Sequence, residues 1–424
     1  MRKGLLVCAL IGGVACAASI PASSGRERNR ARDEDGRTVR VALSIGVQRT
    51  AVSATGEWLI QDGGGRSTLV RAGAGETWTI ERGHSGDLMR AVRSDSVPTM
   101  LRSGPFVVRA VGPDALVSVD GRRYRGEIRV AARDTGLVVV NHLLLEDYLR
   151  GVVSLEIGTM RTLAELAAVE AQAVAARSYA YTRLSRDTAR LYELRASVLD
   201  QVYGGVEGET PIGDRAVSLT TGLVLTFAGR PVNAPYSSTC GGSTSAASEV
   251  WQVQRDEPYL VPVDDRMPDS NRYYCDPSPR FSWTQTFDRS SLARSLDRYL
   301  RTYAAVPQTG PGVVRRVEVA GLTPTGRVRS LIIGTDRAQY SLRANDIRFV
   351  LRSPGGEILN STYFSVESEH DSDGTLSRLT LRGRGYGHGI GMCQWGAIGR
   401  ARAGQTFRDI LRTYYPGTSV ETLD

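Results

Sequence analysis

From Val39 to Val140 short apolar runs alternate with Gly and Asp turns: VRVALSI, TWTIERG, FVVRAVG, ALVSVDG, EIRVAA and LVVVNHLLL. Runs this short, rich in β-branched residues and broken by turn formers, predict strands without a clear helix. The texture changes at residue 162. TLAELAAVEAQAVAARSYAYTRL, 162–184, is alanine-rich and opens with Thr162 and Glu165 in the T-x-x-E spacing of a capping box. It predicts a helix whose small side chains allow close approach to neighbouring backbone. Further helices are expected over 289–304 and, after Thr406, in FRDILRTYY, which Pro416-Gly417 ends. Between them VVRRVEVAG, RVRSLIIG, AQYSLRA, YFSVESE and SRLTLRG read as a second β-rich section. Strands and a few helices without regular βαβ alternation predict an α+β fold. The expected division is a strand-rich part (38–140), a core part (141–275) and a second β-rich section (276–424).

The first nineteen residues stand apart. MRKGLLVCALIGGVACAAS has a basic start, an apolar stretch and small residues near Ala15 and Ala17. That is the layout of an export signal over 1–19, too short for a comfortable transmembrane helix. Two processing sites compete. Ala15-Cys16-Ala17 fits A-x-A cleavage, whereas Val14-Ala15-Cys16 resembles a degenerate lipoprotein box that would lipidate Cys16 and anchor the chain to a membrane. Residues 20–37 are polar and charged and read as a flexible tether.

With 424 residues, 41% hydrophobic and 23% charged, the chain has the composition of an ordinary globular protein. Its net charge of +8 is carried by arginine, Lys3 being the sole lysine, and the arginines alternate with Asp and Glu. A mixed solvated surface or a mild attraction for an anionic polymer follows. No basic stripe with interleaved aromatics points to nucleic acid. Beyond the signal only Cys240, Cys275 and Cys393 remain, and no CxxC, HExxH or HxH spacing occurs. No metal site of sequence-local ligands, and no cofactor, is expected.

The densest chemistry lies in GRGYGHGIGMCQWGA, 383–397, with six glycines. No Lys follows and no βαβ context surrounds it, so a phosphate loop does not fit. His388 and Cys393 lack a partner pair for a metal. A Ser-His arrangement of Ser237 or Ser238 with His388 lacks the G-x-S-x-G elbow. What remains is a close-packed wall turning His388, Gln394 and Trp395 toward a cleft, or a buried glycine-rich turn.

Six motifs in order carry a resemblance: LLLEDYLRGVVSLEIGT, ELAAVEAQAVAARSYAY, DQVYGG, TTGLVLTFAGRPVNAPYSSTCGGSTSAASEVW, EPYLVPVDD and GRGYGHGIGMCQWGA. Together, from about residue 38 onward, they resemble the stage II sporulation protein D (SpoIID/LytB) family. The resemblance implies a two-lobed fold around a substrate cleft and the binding or cutting of peptidoglycan glycan strands, stripped of stem peptides in the case of the sporulation protein. It implies a lytic transglycosylase with Glu156 as catalytic acid, although Ser154-Leu155-Glu156-Ile157 replaces the common Pro-Ser-Glu-Met. The LytB branch implies an alternative, a non-catalytic glycan binder that enhances a cell-wall amidase.

The resemblance also frames weaker expectations. Gln172 and Arg177 on the alanine-rich helix, Tyr203, Ser237, Ser238, Gly241, Gly242, His388, Gln394 and Trp395 are candidate substrate-binding residues. Glu249 is a second acid to watch, and Glu146 and Asp147 are expected to cap a helical turn into Tyr148 and Leu149. Some relatives hold zinc through a His and two Cys around STCGG; here Ala234 and Ala246 occupy the flanking positions, so that zinc is not expected. Cys240 is expected to pair with Cys275 as a disulfide, leaving Cys393 free.

Overall fold

The computed structural model describes residues 36–423 except 66, 85, 94, 96, 185, 186, 188, 253 and 254. The expected signal and nearly all of the tether therefore lie outside the described residues. Among the described residues no helix is long and apolar enough to cross a membrane.

The N-terminal strands build two sheets over one apolar core. In the first, Thr38–Val47 pairs antiparallel with Gly136–Leu144, which pairs with Glu127–Arg133. Phe106–Ala110, Trp58–Asp62 and Thr68–Ala72 extend it on that side, and Leu194–Arg195 edges it on the other. The second sheet runs Arg122–Tyr124, Val117–Val119, Arg49–Ala54, Trp78–Arg82, Leu88–Val92 and Arg102–Ser103. Strict alternation of buried and open positions along Arg49–Ala54 turns Thr50, Val52 and Ala54 inward. Trp58, Ile60, Ile80, Met89, Phe106 and Ile128 fill the shared core.

The helices are α1 (Leu145–Ile157), α2 (Leu166–Tyr181), α3 (Pro211–Leu219), α4 (Ala247–Val250), α5 (Arg289–Tyr299), α6 (Asp346–Val350), α7 (Gln394–Arg402) and α8 (Phe407–Tyr414). The fold is α+β, as its patterning predicts. The capping box forms as expected: the Glu165 carboxylate accepts the Thr162 N–H, above a short 3-10 turn that leads into α2. Alanines and valines bury α2 almost all round, and α1, α3, α7 and α8 pack against it. This central helix is the post around which the others are arranged.

The helical turn expected at Tyr148 and Leu149 is the start of a full helix, α1. Leu145, Tyr148, Leu149, Val152, Val153 and Ile157 fall at helical spacing and are all buried, while Glu146 and Asp147 sit in the first turn where the helix dipole favours them. Gly158 ends it at φ 106°, its N–H donating to the Ser154 carbonyl. The helix follows directly on the strand Gly136–Leu144, and Leu143, Leu144 and Leu145 carry apolar residues across the junction.

Residues 282–384 form a second lobe with its own core of Phe287, Leu292, Leu296, Leu331, Ile333, Leu379 and Leu381. Ser282–Asp288, Leu376–Arg384 and Phe364–His370 make one antiparallel sheet, and Val314–Leu322, Val328–Thr335 and Gln339–Arg343 another. The lobe is inserted between Tyr236–Ser237 and Met392–Cys393, which nevertheless pair side by side in parallel. Chain on both sides of the insertion thus returns to the first lobe.

Candidate active site

Glu156 stands one residue from the C-terminus of α1, its side chain half-buried. Its Oε1 accepts the backbone N–H of Val202 at 2.6 Å. Burial pushes the carboxyl up to about 7 against the lowering effect of that single bond. Among the described residues no basic side chain contributes to its shift, and the C-terminal end of a helix offers an anion no support. Near neutrality the group therefore exists in both protonation states.

Tyrosines surround it. Burial first, then the charge on Glu156, pushes the phenols of Tyr148 and Tyr236 well up. Gln201 ties these two rings together: its Oε1 accepts the Tyr148 O–H at 3.1 Å and its Nε2 donates to the Tyr236 oxygen at 2.8 Å. Tyr179, pushed up to about 12 chiefly by burial, feels both Glu156 and Asp200 and donates its O–H to Asp200 Oδ1 at 3.1 Å. Asp200 also accepts the Arg195 N–H at 3.1 Å and lies 3.8 Å from the Arg183 guanidinium. One carboxyl is thus starved of donors and the other is well supplied, the division of labour that acid–base sites use.

Most of the other expected binding residues lie elsewhere. Arg177 is fully buried and grips Glu146 through two bonds of 2.6 and 2.7 Å, with the Leu223 carbonyl at 3.0 Å, so its donors are committed to structure. Tyr203 is packed on Tyr124 and Tyr148 and donates to Asn141 Oδ1 at 2.7 Å. Gln172 and Gln394 are buried against each other at 3.2 Å rather than open to a cleft. Glu249 is buried and accepts the Thr325 hydroxyl from the second lobe. Ser237 Oγ accepts the Gly389 N–H at 3.2 Å, and the Ser238 carbonyl accepts the Trp395 N–H at 3.0 Å. His388 is pushed down to about 3, first by burial and then by the Arg348 charge; its Nδ1 accepts the Ile390 N–H. A neutral ring so engaged is no base for a serine. Trp395, like Tyr386 and His388 of the same stretch, is half-open, and the Arg161 guanidinium lies 5.4 Å from the centre of its ring.

The stage II sporulation protein (SpoIID) family model matches residues 133–227, which hold Glu156, Tyr179, Asp200 and Gln201; a domain of unknown function, DUF8618, matches 267–391. Stage II sporulation protein D of Bacillus subtilis (strain 168) is 30% identical over 301 residues, 67% of this chain and 76% of that protein. The chain belongs to the stage II sporulation protein D family. The amidase enhancer of the same organism is 30% identical over 343 residues, and the match spans 72% of this chain but only 45% of that protein. An uncharacterized protein of Brachyspira hyodysenteriae (strain ATCC 49526 / WA1) is 28% identical over 304 residues, 72% of this chain and 73% of its own.

In the glycine-rich motif that carries part of the family resemblance, the backbone runs close against other chain. Gly387 has φ 114° and a Cβ there would lie 2.6 Å from the Ser237 Cβ; Gly385 abuts the Thr239 and Cys240 backbone. Its glycines let chain pack on chain, which is the buried-turn alternative. The disulfide expectation is also corrected. Cys240 and Cys275 are free thiols with their Sγ atoms 3.6 Å apart, whereas a bond needs about 2.05 Å. The expectation of no metal ligands rested on local spacing and misses a cluster assembled by the fold: Cys240, Asp265, Cys275 and Cys393. Asp200, Gln201, Tyr179, Tyr236 and the Val202 N–H went unnamed as site groups, although DQVYGG contains three of them.

Proposed function

We propose that this family member is an exported peptidoglycan lytic transglycosylase of the cell envelope, with Glu156 as its single acid and base. The observation that carries the reading is the Glu156 carboxyl raised to about 7 and held by one backbone N–H. Because the Val202 N–H occupies Oε1, the proton belongs on Oε2. From there it passes to the glycosidic oxygen as the bond from that oxygen to the sugar C1 breaks. The carboxylate left behind keeps its N–H donor. Oε2 then takes the proton of the same sugar's 6-hydroxyl as O6 bonds to C1, closing a 1,6-anhydro ring and restoring the acid. No water is consumed, and the tethered nucleophile has a high effective concentration. Trp395 offers an apolar face on which a sugar ring can lie.

Asp200 favours a second chemistry. Two carboxyls in contrasting environments are also the equipment of a hydrolase, in which one would activate water. A third reading, a glycan-binding enhancer, rests on the name of one relative, of which this chain spans less than half.

Mass spectrometry of products from stem-peptide-free glycan, wild type beside Glu156→Gln, tests the proposal. New 1,6-anhydro ends from the wild type alone support it. Reducing ends would replace it with hydrolysis and turn attention to Asp200. Glycan retained without any cleavage would replace it with the enhancer.

A further inference from the structure

Four potential ligands converge behind the glycine-rich stretch. Their ligand atoms, Sγ of Cys240, Cys275 and Cys393 and a carboxylate oxygen of Asp265, all lie within 4.8 Å of one another, and all four residues are buried. Cys240 Sγ is 3.6 Å from Cys275 Sγ and 3.8 Å from Asp265 Oδ2. Zn–S bonds of about 2.3 Å and Zn–O bonds of about 2.0 Å at tetrahedral angles place sulfurs about 3.8 Å apart and sulfur about 3.5 Å from oxygen. We propose that these four side chains form a structural zinc site. The positions through which some relatives hold zinc, Ala234 and Ala246 here, supply no ligand, so this set is a different one with only Cys240 in common.

The surroundings support it independently. Cys393 Sγ accepts two backbone N–H groups, from Cys240 at 3.2 Å and Gly396 at 3.3 Å, an arrangement suited to a thiolate. The second oxygen of Asp265 accepts the Tyr414 O–H at 2.6 Å and lies 3.2 Å from the Arg400 guanidinium, which aims the first oxygen at the sulfurs. Charge makes the stronger argument. Three thiolates and one carboxylate around Zn²⁺ leave two negative charges, and two buried guanidiniums flank the cluster. Arg400 is one; Arg327, 1% exposed, is the other, donating to the Cys240 carbonyl at 2.9 Å. Among the described residues no carboxylate touches Arg327, although Glu249 acts on it from farther off. A buried cation is costly unless opposite charge stands close by; a doubly negative zinc centre beside Cys240 would supply it nearer than Glu249 does. Binding displaces whatever protons the thiols still carry and needs no oxidant.

Four protein ligands and no open position make the site structural rather than catalytic. It would fasten the loop after Ser237, the segment 264–276 and the start of α7 into one corner, with Cys393 in the strand that pairs with Tyr236–Ser237.

The full chain, purified without chelator, is expected to contain one zinc per molecule by plasma mass spectrometry. Stripped, reduced wild type titrated with zinc sulfate should take up one equivalent. Titrated with cobalt chloride it should show the thiolate charge-transfer and tetrahedral d–d bands of a three-sulfur site. Cys393→Ser and Asp265→Ala, their folding followed by circular dichroism, should lose at least tenfold in affinity. Failure of reduced, folded wild type to take up either metal would overturn the site. So would an intact mass two hydrogens light with Cys240 and Cys275 linked after purification under native conditions.

Discussion

The Val202 N–H holds Glu156 Oε1 at 2.6 Å, and among the described residues no other hydrogen-bond donor lowers that carboxyl. One donor does not offset burial, so the acid form survives to about pH 7. Turnover is therefore expected to fall on the alkaline side with an apparent pKa near 7, tenfold per pH unit beyond it. The rate of anhydro-end formation across pH checks this; an alkaline limb beginning near pH 4.5 would mean the carboxyl is not desolvated during turnover.

The same shift has a signature in stability. Glu156 holds its proton more tightly folded than unfolded, so between about pH 4.5 and 7 the native state binds more protons. Its stability is fully present below the unfolded value and lost as pH rises through the folded one. Glu156→Gln escapes the loss while still offering Oε1 to Val202. At pH 8 the variant should exceed wild type by on the order of 2–3 kcal/mol, and at pH 4 the two should coincide. Urea unfolding at both values measures the difference, and equal stabilities at pH 8 would count against a raised pKa.

Arg177 tests the separation of structure from chemistry. Removing it leaves Glu146 as a largely buried carboxylate without its cation and frees the Leu223 carbonyl. Arg177→Met should lower stability by about 3–5 kcal/mol. Whatever fraction stays folded should retain the wild-type affinity for glycan, since the guanidinium faces protein on every side. A selective loss of glycan binding at unchanged stability would restore the sequence expectation for this residue.

How far the sequence reveals this site depends on where each signal is written. Local signals hold: the Thr162–Glu165 capping box, the strands from Val39 to Val140 and the α+β class are all present, because each depends on neighbours in the chain. α1 is legible only as a turn at Tyr148 and Leu149 although Leu145, Tyr148, Leu149, Val152 and Val153 keep helical spacing, because Leu143, Leu144 and Leu145 carry apolar residues across the junction with the preceding strand. Glu156 is identifiable by motif, but its environment comes from residues 179, 200–202 and 236, which only folding gathers. Arg177 and Gln172 read as polar residues offered from a helix; with α2 at the centre, they are sealed. Cysteines 240, 275 and 393 lack metal spacing because their loops meet only in three dimensions.

The last prediction ties the glycine-rich stretch to Glu156. Gly387 combines a φ of 114° with a Ser237 Cβ 2.6 Å from where its own Cβ would stand. Ser237 adjoins Tyr236, whose ring helps to shield Glu156, and both belong to the strand paired with Met392–Cys393. Gly387→Ala must push that strand aside as well as bear the backbone strain. Gly229→Ala bears the strain alone, since φ is 72° and nothing lies within 4 Å of its Cβ position. The control should lose about 1–2 kcal/mol, and Gly387→Ala more than twice that. If displacement of Tyr236 admits water to Glu156, the alkaline limb of the pH–rate profile should also move to lower pH in Gly387→Ala and stay in place in Gly229→Ala. Matching profiles in the two variants would show that the turn supports the fold without governing the acid.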